Sequence, residues 1–179
     1  FKGLFAKIGK EGLLKDISIH VNALIASGGA IYCGVNLGTI AYCKTYIETI
    51  TASSSSSSSC SGICRNNYGL IYKCEAEMYG GGDMFSGSGI CYYNCSGSVV
   101  GCSFKGKLTS NNNGKLAGIV GVNYQGEKYG KDVCGLISDC VNYGTMEIYL
   151  NDEGKAWWVG AGGICNSNYG WIQRCVNKG

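Results

Sequence analysis

The chain contains no proline. Glycine is nonetheless abundant, at 30 of 179 residues. Without proline, that glycine builds neither a collagen helix nor a proline-rich linker. Histidine is nearly missing, since His20 is the only one. A Ser–His–Asp triad therefore has a single candidate base, and a zinc site built on several histidines is excluded. Charge is scarce as well, at 15% of residues and a net +3, with Lys and Arg scattered rather than clustered. That pattern offers no electrostatic footprint for nucleic acid, so none is expected as a partner. No apolar run reaches the roughly 18 residues of a membrane span. The hydrophobic fraction of 45% is nevertheless too high for a disordered chain. Glycine in this amount, without proline, fits a fold made of many tight turns.

What the chain has in excess is cysteine, 12 residues. A secreted disulfide framework and a set of buried thiols acting as small hydrophobes both produce such a count. Spacing separates the two, because the cysteines recur within an internal repeat. Residues 62–74 and 163–175 align without a gap, and both read G-I-C-x-x-N-Y-G-x-I-x-x-C. A third copy runs through Ile31, Cys33, Asn36, Gly38, Ile40 and Cys43. A fourth runs through Gly89, Ile90, Cys91, Asn94, Gly97, Val99 and Cys102, with one extra residue. A fifth opens at Gly118, Ile119, Val120 and Asn123, then resumes after an insertion at Gly135, Leu136, Ile137 and Cys140. A degenerate first copy contains Gly3, Leu4, Phe5, Gly12, Leu13, Leu14 and Ile17.

Units of roughly 30 residues, made of apolar segments too short for helices, cannot bury their own apolar face alone. Stacked on like neighbours, they can. The expectation is an all-β, right-handed parallel β-helix of about five to six coils with loop insertions, forming one domain over residues 1–179. Three columns follow from stacking units in register. The closing column is Ile17, Cys43, Cys74, Cys102, Cys140 and Cys175. The opening column is Phe5, Cys33, Cys64, Cys91, Val120 and Cys165. Ile, Phe and Val share these columns with Cys, so the columns demand something small and apolar, not a thiolate. The third column is Asn36, Asn67, Asn94, Asn123 and Asn168, whose amides are placed to hydrogen-bond along the stack. N-x-G is read as a sharp change of direction, because Asn and Gly both tolerate the left-handed region.

The run from Gly162, Gly163 and Ile164 to Cys175 resembles the GLUG-type repeats of bacterial surface proteins. Such repeats read roughly G-G-[IL]-h-G-x-N-x-G-x-I-x-x-C, where h is apolar. The resemblance covers nearly the whole chain. It implies a repeat scaffold in an extracellular, cell-surface setting, as in large adhesin-like proteins, and it brings no catalytic residue. The second cysteine column and the long insertions depart from the family pattern. The chain begins at Phe1, without Met or a signal peptide, and both ends fall inside repeat units without a capping element. The reading is therefore a segment of a longer chain, with self-association through open solenoid ends as a further possibility.

Four segments are expected to leave the coil: 51–59 with its serine run, the glycine-rich 79–88, 125–133, and 151–158 ending in Trp157 and Trp158. Insertions of this kind collect on the outside of solenoids and often carry the binding face. Cys60, Cys95 and Cys134 fall outside the thiol columns, and a disulfide or a loop thiol suits them better than a metal. No cofactor or metal motif is present: there is no C-x2-C, and Gly80-Gly81-Gly82 lacks the G-K-[ST] of a phosphate loop. His20 is expected to point outward from a strand. Glu75 and Glu77 share a strand face, with Glu48 one coil away, and a solvated face explains them. At residues 3–17 a basic amphipathic helix competes with a first coil. Gly9 and Gly12 weaken the helix, and alignment with the repeat favours the coil.

Aromatics carry the functional expectation. There are 13 Tyr and 3 Trp. Tyr68, Tyr124 and Tyr169 follow the column asparagines on the turns, where flat rings offer contact area at low entropic cost. The expected function is a non-catalytic structural or adhesion scaffold. It would present Tyr68, Tyr124, Trp157, Trp158 and Tyr169 to a glycan or protein of a host or neighbouring cell. The alternatives are a carbohydrate-active β-helix enzyme, which would need clustered carboxylates on one face, or a self-assembling filament.

Overall fold

In the computed structural model, the described residues are 3–52, 58–125, 133–150 and 159–179. Among them there is no helix, and the strands stack as six levels. The first level holds β1 (Phe5–Ile8), β2 (Leu13–Lys15), β3 (Ser18–Ala26) and β4 (Gly29–Ala30). The second holds β5 (Cys33–Asn36), β6 (Thr39–Ala41), β7 (Lys44–Ala52) and β8 (Ser59–Ser61). The third holds β9 (Cys64–Asn67), β10 (Leu70–Tyr72), β11 (Glu75–Asp83) and β12 (Ser86–Ser88). The fourth holds β13 (Cys91–Asn94), β14 (Ser98–Val100), β15 (Ser103–Asn111) and β16 (Lys115–Ala117). The fifth holds β17 (Val120–Asn123), β18 (Leu136–Ser138), β19 (Val141–Asn142), β20 (Thr145–Tyr149) and β21 (Gly160–Gly162). The sixth holds β22 (Cys165–Asn168), β23 (Trp171–Gln173) and β24 (Val176–Asn177).

Like strands pair with like in parallel, forming four sheets that run the length of the stack. The first sheet is β1-β5-β9-β13-β17-β22 and the second β2-β6-β10-β14-β18-β23. The third is β3-β7-β11-β15-β19-β24, with β20 also on β15, and the fourth is β4-β8-β12-β16-β21. The architecture is thus an all-β parallel solenoid, as expected. Only the second to fifth levels have a neighbour on both sides, so the count of fully stacked coils is slightly lower than five to six. Residues 3–17 form β1 and β2, which removes the rival helix.

The register reproduces the expected columns. Phe5 pairs with Cys33, Cys33 with Cys64, Cys64 with Cys91, Cys91 with Val120 and Val120 with Cys165. Cys33, Cys43, Cys64, Cys74, Cys91, Cys102 and Cys140 are buried among Ile40, Ile47, Ile63, Ile71, Ile90, Val99 and Ile137. Cys165 and Cys175, on the sixth level, are half-buried.

Three details differ from the expectation. Residues 79–88 do not leave the coil, since Tyr79 to Asp83 completes β11 and Ser86–Ser88 is β12. Gly80, Gly81 and Gly82 take φ of 120°, 149° and 135°, which lets the strand continue where a side chain would strike Ile50 or Thr109 of the adjoining levels. Cys60 is not a loop thiol either. It is buried in β8, between Gly29 and Gly87 of the fourth sheet.

The third difference concerns the glycine of N-x-G. Gly38, Gly69, Gly97, Gly135 and Gly170 do not adopt positive φ. They form a column of close approach. A Cβ on Gly38 would lie 2.2 Å from the Gly12 carbonyl, and one on Gly69 would lie 2.1 Å from the Gly38 carbonyl. The left-handed residue stands elsewhere, immediately before each closing-column position. Asp16, Tyr42, Lys73, Gly101, Asp139 and Arg174 take φ between 48° and 65°. Five of these six carry a side chain, at about 1–2 kcal/mol each in a left-handed conformation. The ladder bond repeated at this corner holds them there: Tyr42 N–H donates to Tyr72, Lys73 to Val100, and Asp139 to Gln173. At the last corner the Arg174 guanidinium bonds both Asp139 oxygens, at 2.6 and 2.8 Å, and holds that carboxyl at about 2.

Candidate functional site

The asparagine column is a continuous side-chain ladder. Asn36 Nδ2 donates to Asn67 Oδ1 at 2.8 Å, and Asn67 to Asn94 at 2.9 Å. Asn94 donates to Asn123 and Asn123 to Asn168, both at 2.8 Å. Where the turn is a plain N-x-G, the Oδ1 also turns the chain at its own level: Gly38 N–H bonds Asn36 at 3.1 Å, Gly69 N–H bonds Asn67 at 3.3 Å and Gly170 N–H bonds Asn168 at 3.2 Å. The first four amides are fully buried, and Asn168 at the end of the stack is exposed. A second, shorter ladder was not anticipated. Asn142 Nδ2 donates to Asn177 Oδ1 at 2.6 Å, and Gly144 N–H bonds Asn142 Oδ1. Asn142 pairs with Phe104 of the level before, so a column that runs Ile19, Thr45, Ala76 and Phe104 ends in two amides. The signal was the pair Asn-Tyr-Gly at 142–144 and Asn-Lys-Gly at 177–179.

The thiol columns are core. Cys33 Sγ lies 3.5 Å from Cys64 Sγ. Burial pushes the Cys64 and Cys102 thiols well above their ordinary range, and pushes Cys60 up to about 12. Hydrogen bonding from Cys102 holds Cys74 and Cys140 down. Those two are as buried as their neighbours, and a thiolate nucleophile needs access as well as a low pKa. Among the described residues, no group of three or more His, Cys, Asp or Glu is arranged to hold a metal ion. Among them too, no helix is long and apolar enough to cross a membrane.

The acidic residues of the third sheet are partnered one by one. Glu75 meets Lys44 at 3.3 Å, and Glu48 meets His20 at 3.0 Å. Glu77 accepts from the Tyr79 hydroxyl at 2.8 Å. His20 points outward and is exposed, as expected. This is a mixed face rather than an acidic cluster.

The turn tyrosines divide into two groups. Tyr124 and Tyr169 stack, with ring centroids 6.4 Å apart and planes at 15°. Tyr93 extends the row at 5.9 Å from Tyr124, and Tyr92 meets Tyr93 edge-on at 4.6 Å. Register produces this row: Tyr169 N–H donates to Asn123 and Tyr124 N–H to Asn94, so the residues after each asparagine lie one level apart. Tyr68 occupies the same position two levels below Tyr124, with Cys95 between them, and stands apart from the row. Tyr93, from β13, was missed because it lies within a strand and not at a turn. A concavity of about 400 Å³ adjoins the row, bounded by Lys115, Val122, Tyr124, Gln125, Ser167 and Tyr169. Trp157 and Trp158 lie outside the described residues. Cys134 and Cys95 are half-buried at the same turn region.

The fold defines the chain as a parallel β-solenoid with inward amide and thiol columns. No family model, curated protein or solved structure matches it.

Proposed function

We propose that the chain is a non-catalytic scaffold of the GLUG-repeat kind, working at a bacterial cell surface, and that it holds a glycan against the tyrosine row. The observation that carries this reading is the row Tyr93, Tyr124, Tyr169 beside its concavity. Three rings on successive levels form a platform that a rigid solenoid holds open to solvent, with Tyr124 and Tyr169 at 40% and 62% exposure. Rings fixed on a β-scaffold offer contact at little entropic cost. The concavity falls within the volume range of ligand sites, about 300–1,000 Å³. The one-to-one pairing of Glu48, Glu75 and Glu77 supports a binding role over hydrolysis, which needs one carboxyl available as acid and another as base or nucleophile.

Calorimetric titration with surface glycans tests the reading. Binding is expected to weaken about tenfold in Tyr124→Ala and in Tyr169→Ala, and to persist in Tyr68→Ala. Binding untouched by the first two changes would refute the glycan site. Release of reducing ends from a bound polysaccharide would replace the scaffold with the enzyme reading.

A further inference from the structure

A second surface lies on the third sheet, away from the tyrosine row. Its outer face holds a groove of about 300 Å³ running across β3, β7, β11 and β15. In-register pairing sets four outward side chains in one line along the solenoid axis. His20 pairs with Tyr46, Tyr46 with Glu77, and Glu77 with Lys105. Three rungs at strand spacing make that line about 14 Å long, enough for several units of a chain-like ligand. Beside it run Lys44 and Glu75.

The chemistry of the groove selects the ligand. Its lining balances two ammonium groups, Lys44 and Lys105, against two carboxylates, Glu75 and Glu77, with Lys44 paired to Glu75, Glu77 accepting from the Tyr79 hydroxyl and Lys105 over the Tyr143 ring at 5.9 Å. A charged ligand lying along the line would therefore meet as much repulsion as attraction. A polyhydroxyl ligand need not, because a carboxylate has about four acceptor sites and an ammonium three donors, more than one partner uses. The Tyr46 ring stands at the centre of the line, with His20 edge-on at 4.7 Å and Tyr79 at 6.5 Å. It supplies an apolar face bordered by hydrogen-bonding groups, the combination that a sugar ring, apolar on one face and hydroxylated at its rim, requires.

We infer that this groove is a binding site for a neutral, linear oligosaccharide lying along the solenoid axis, with Tyr46 as the stacking platform and Glu77 and Lys105 as hydroxyl-binding groups. The site is independent of the tyrosine row, so the chain presents two glycan surfaces on different sheets.

The test is titration of the whole chain with cellohexaose, mannohexaose and an oligogalacturonate, followed by calorimetry and by saturation-transfer NMR. At least one neutral hexasaccharide is expected to bind. Tyr46→Ala and Glu77→Gln should each weaken that binding about tenfold, while Tyr46→Phe and Tyr124→Ala leave it unchanged. Glu77→Gln preserves shape, so it tests the site even where Tyr46→Ala perturbs folding. Three results would overturn the assignment: no binding of either neutral oligosaccharide, binding of the oligogalacturonate alone, or binding that neither Tyr46→Ala nor Glu77→Gln weakens.

Discussion

Replacing Asn67 by Ala tests whether the amide ladder holds the stack together. Asn67 accepts from Asn36 at 2.8 Å and donates to Asn94 at 2.9 Å, with further contacts to the Gly69 and Ser98 carbonyls at 3.2 and 3.3 Å. The change removes two amide-to-amide bonds between levels, at about 1 kcal/mol each. It also strips a donor from the fully buried Asn94 oxygen, and a desolvated orphan costs about 1–3 kcal/mol. The Asn36 amide is less affected, since it also reaches the Leu70 carbonyl at 3.2 Å. The expected loss is about 3–5 kcal/mol, a large share of the 5–15 kcal/mol that typically holds a domain. Asn168→Ala is the internal control. It removes one inter-level bond at an exposed position, so its cost stays below about 1.5 kcal/mol. Urea unfolding followed by circular dichroism measures both. With a slope of about 1–3 kcal/mol/M, Asn67→Ala should lower the midpoint by at least about 1 M without changing the slope. A cost under about 1 kcal/mol for Asn67→Ala, or equal costs at the two positions, would refute the ladder as a source of stability.

Two further substitutions probe the columns beside it. Gly69→Ala puts a Cβ 2.1 Å from a backbone carbonyl and should leave the chain insoluble or unfolded. Gly9→Ala meets nothing within 4 Å and should stabilise by about 0.4–1 kcal/mol through the unfolded state. Thermal melts of the pair decide it, and similar behaviour would disprove close approach as the reason for the glycine column. In the opening column, Cys91→Val matches the neighbouring Val120 and should cost under about 1.5 kcal/mol. Cys91→Ser buries a hydroxyl and should cost more. The reverse ranking in urea would show that the column does not require an apolar group.

Most of the solenoid could be read from its repeat, because each inward position recurs with the same demand. Cys shares the closing column with Ile and the opening column with Phe and Val, and the asparagines recur where an amide can bond its own copy. The fourth sheet escaped notice for the opposite reason. Its strands, such as Gly29–Ala30, Ser59–Ser61 and Ser86–Ser88, are short and made of small or polar residues that look like loop. They are strands because their neighbours on either level are. The left-handed corner was hidden because its occupants share no type: Gly101 and the two Asp residues suit positive φ, whereas Tyr42, Lys73 and Arg174 do not announce it. The tyrosine row was half legible: Tyr124 and Tyr169 follow their asparagines, whereas Tyr93 joins only through register. The groove on the third sheet is only partly legible. Residues 20, 46, 77 and 105 each stand three places after a closing-column position, so the columns imply their line, but the concavity around them follows from side-chain packing that the repeat does not specify.

Every bond of the asparagine ladder points the same way. The amide of one level donates to the carbonyl of the next higher level, from Asn36 through Asn168, and the Asn142 to Asn177 step repeats the sense. Side-chain amide dipoles in a low-dielectric core polarise one another when so aligned. The solenoid therefore has an electrical polarity as well as a geometric one, with its positive end toward the sixth level and its negative end toward the first. A coil inserted in the inverted sense would set donor against donor on one side and acceptor against acceptor on the other. The ladder thus acts as a one-way key: it admits additional coils in one orientation only.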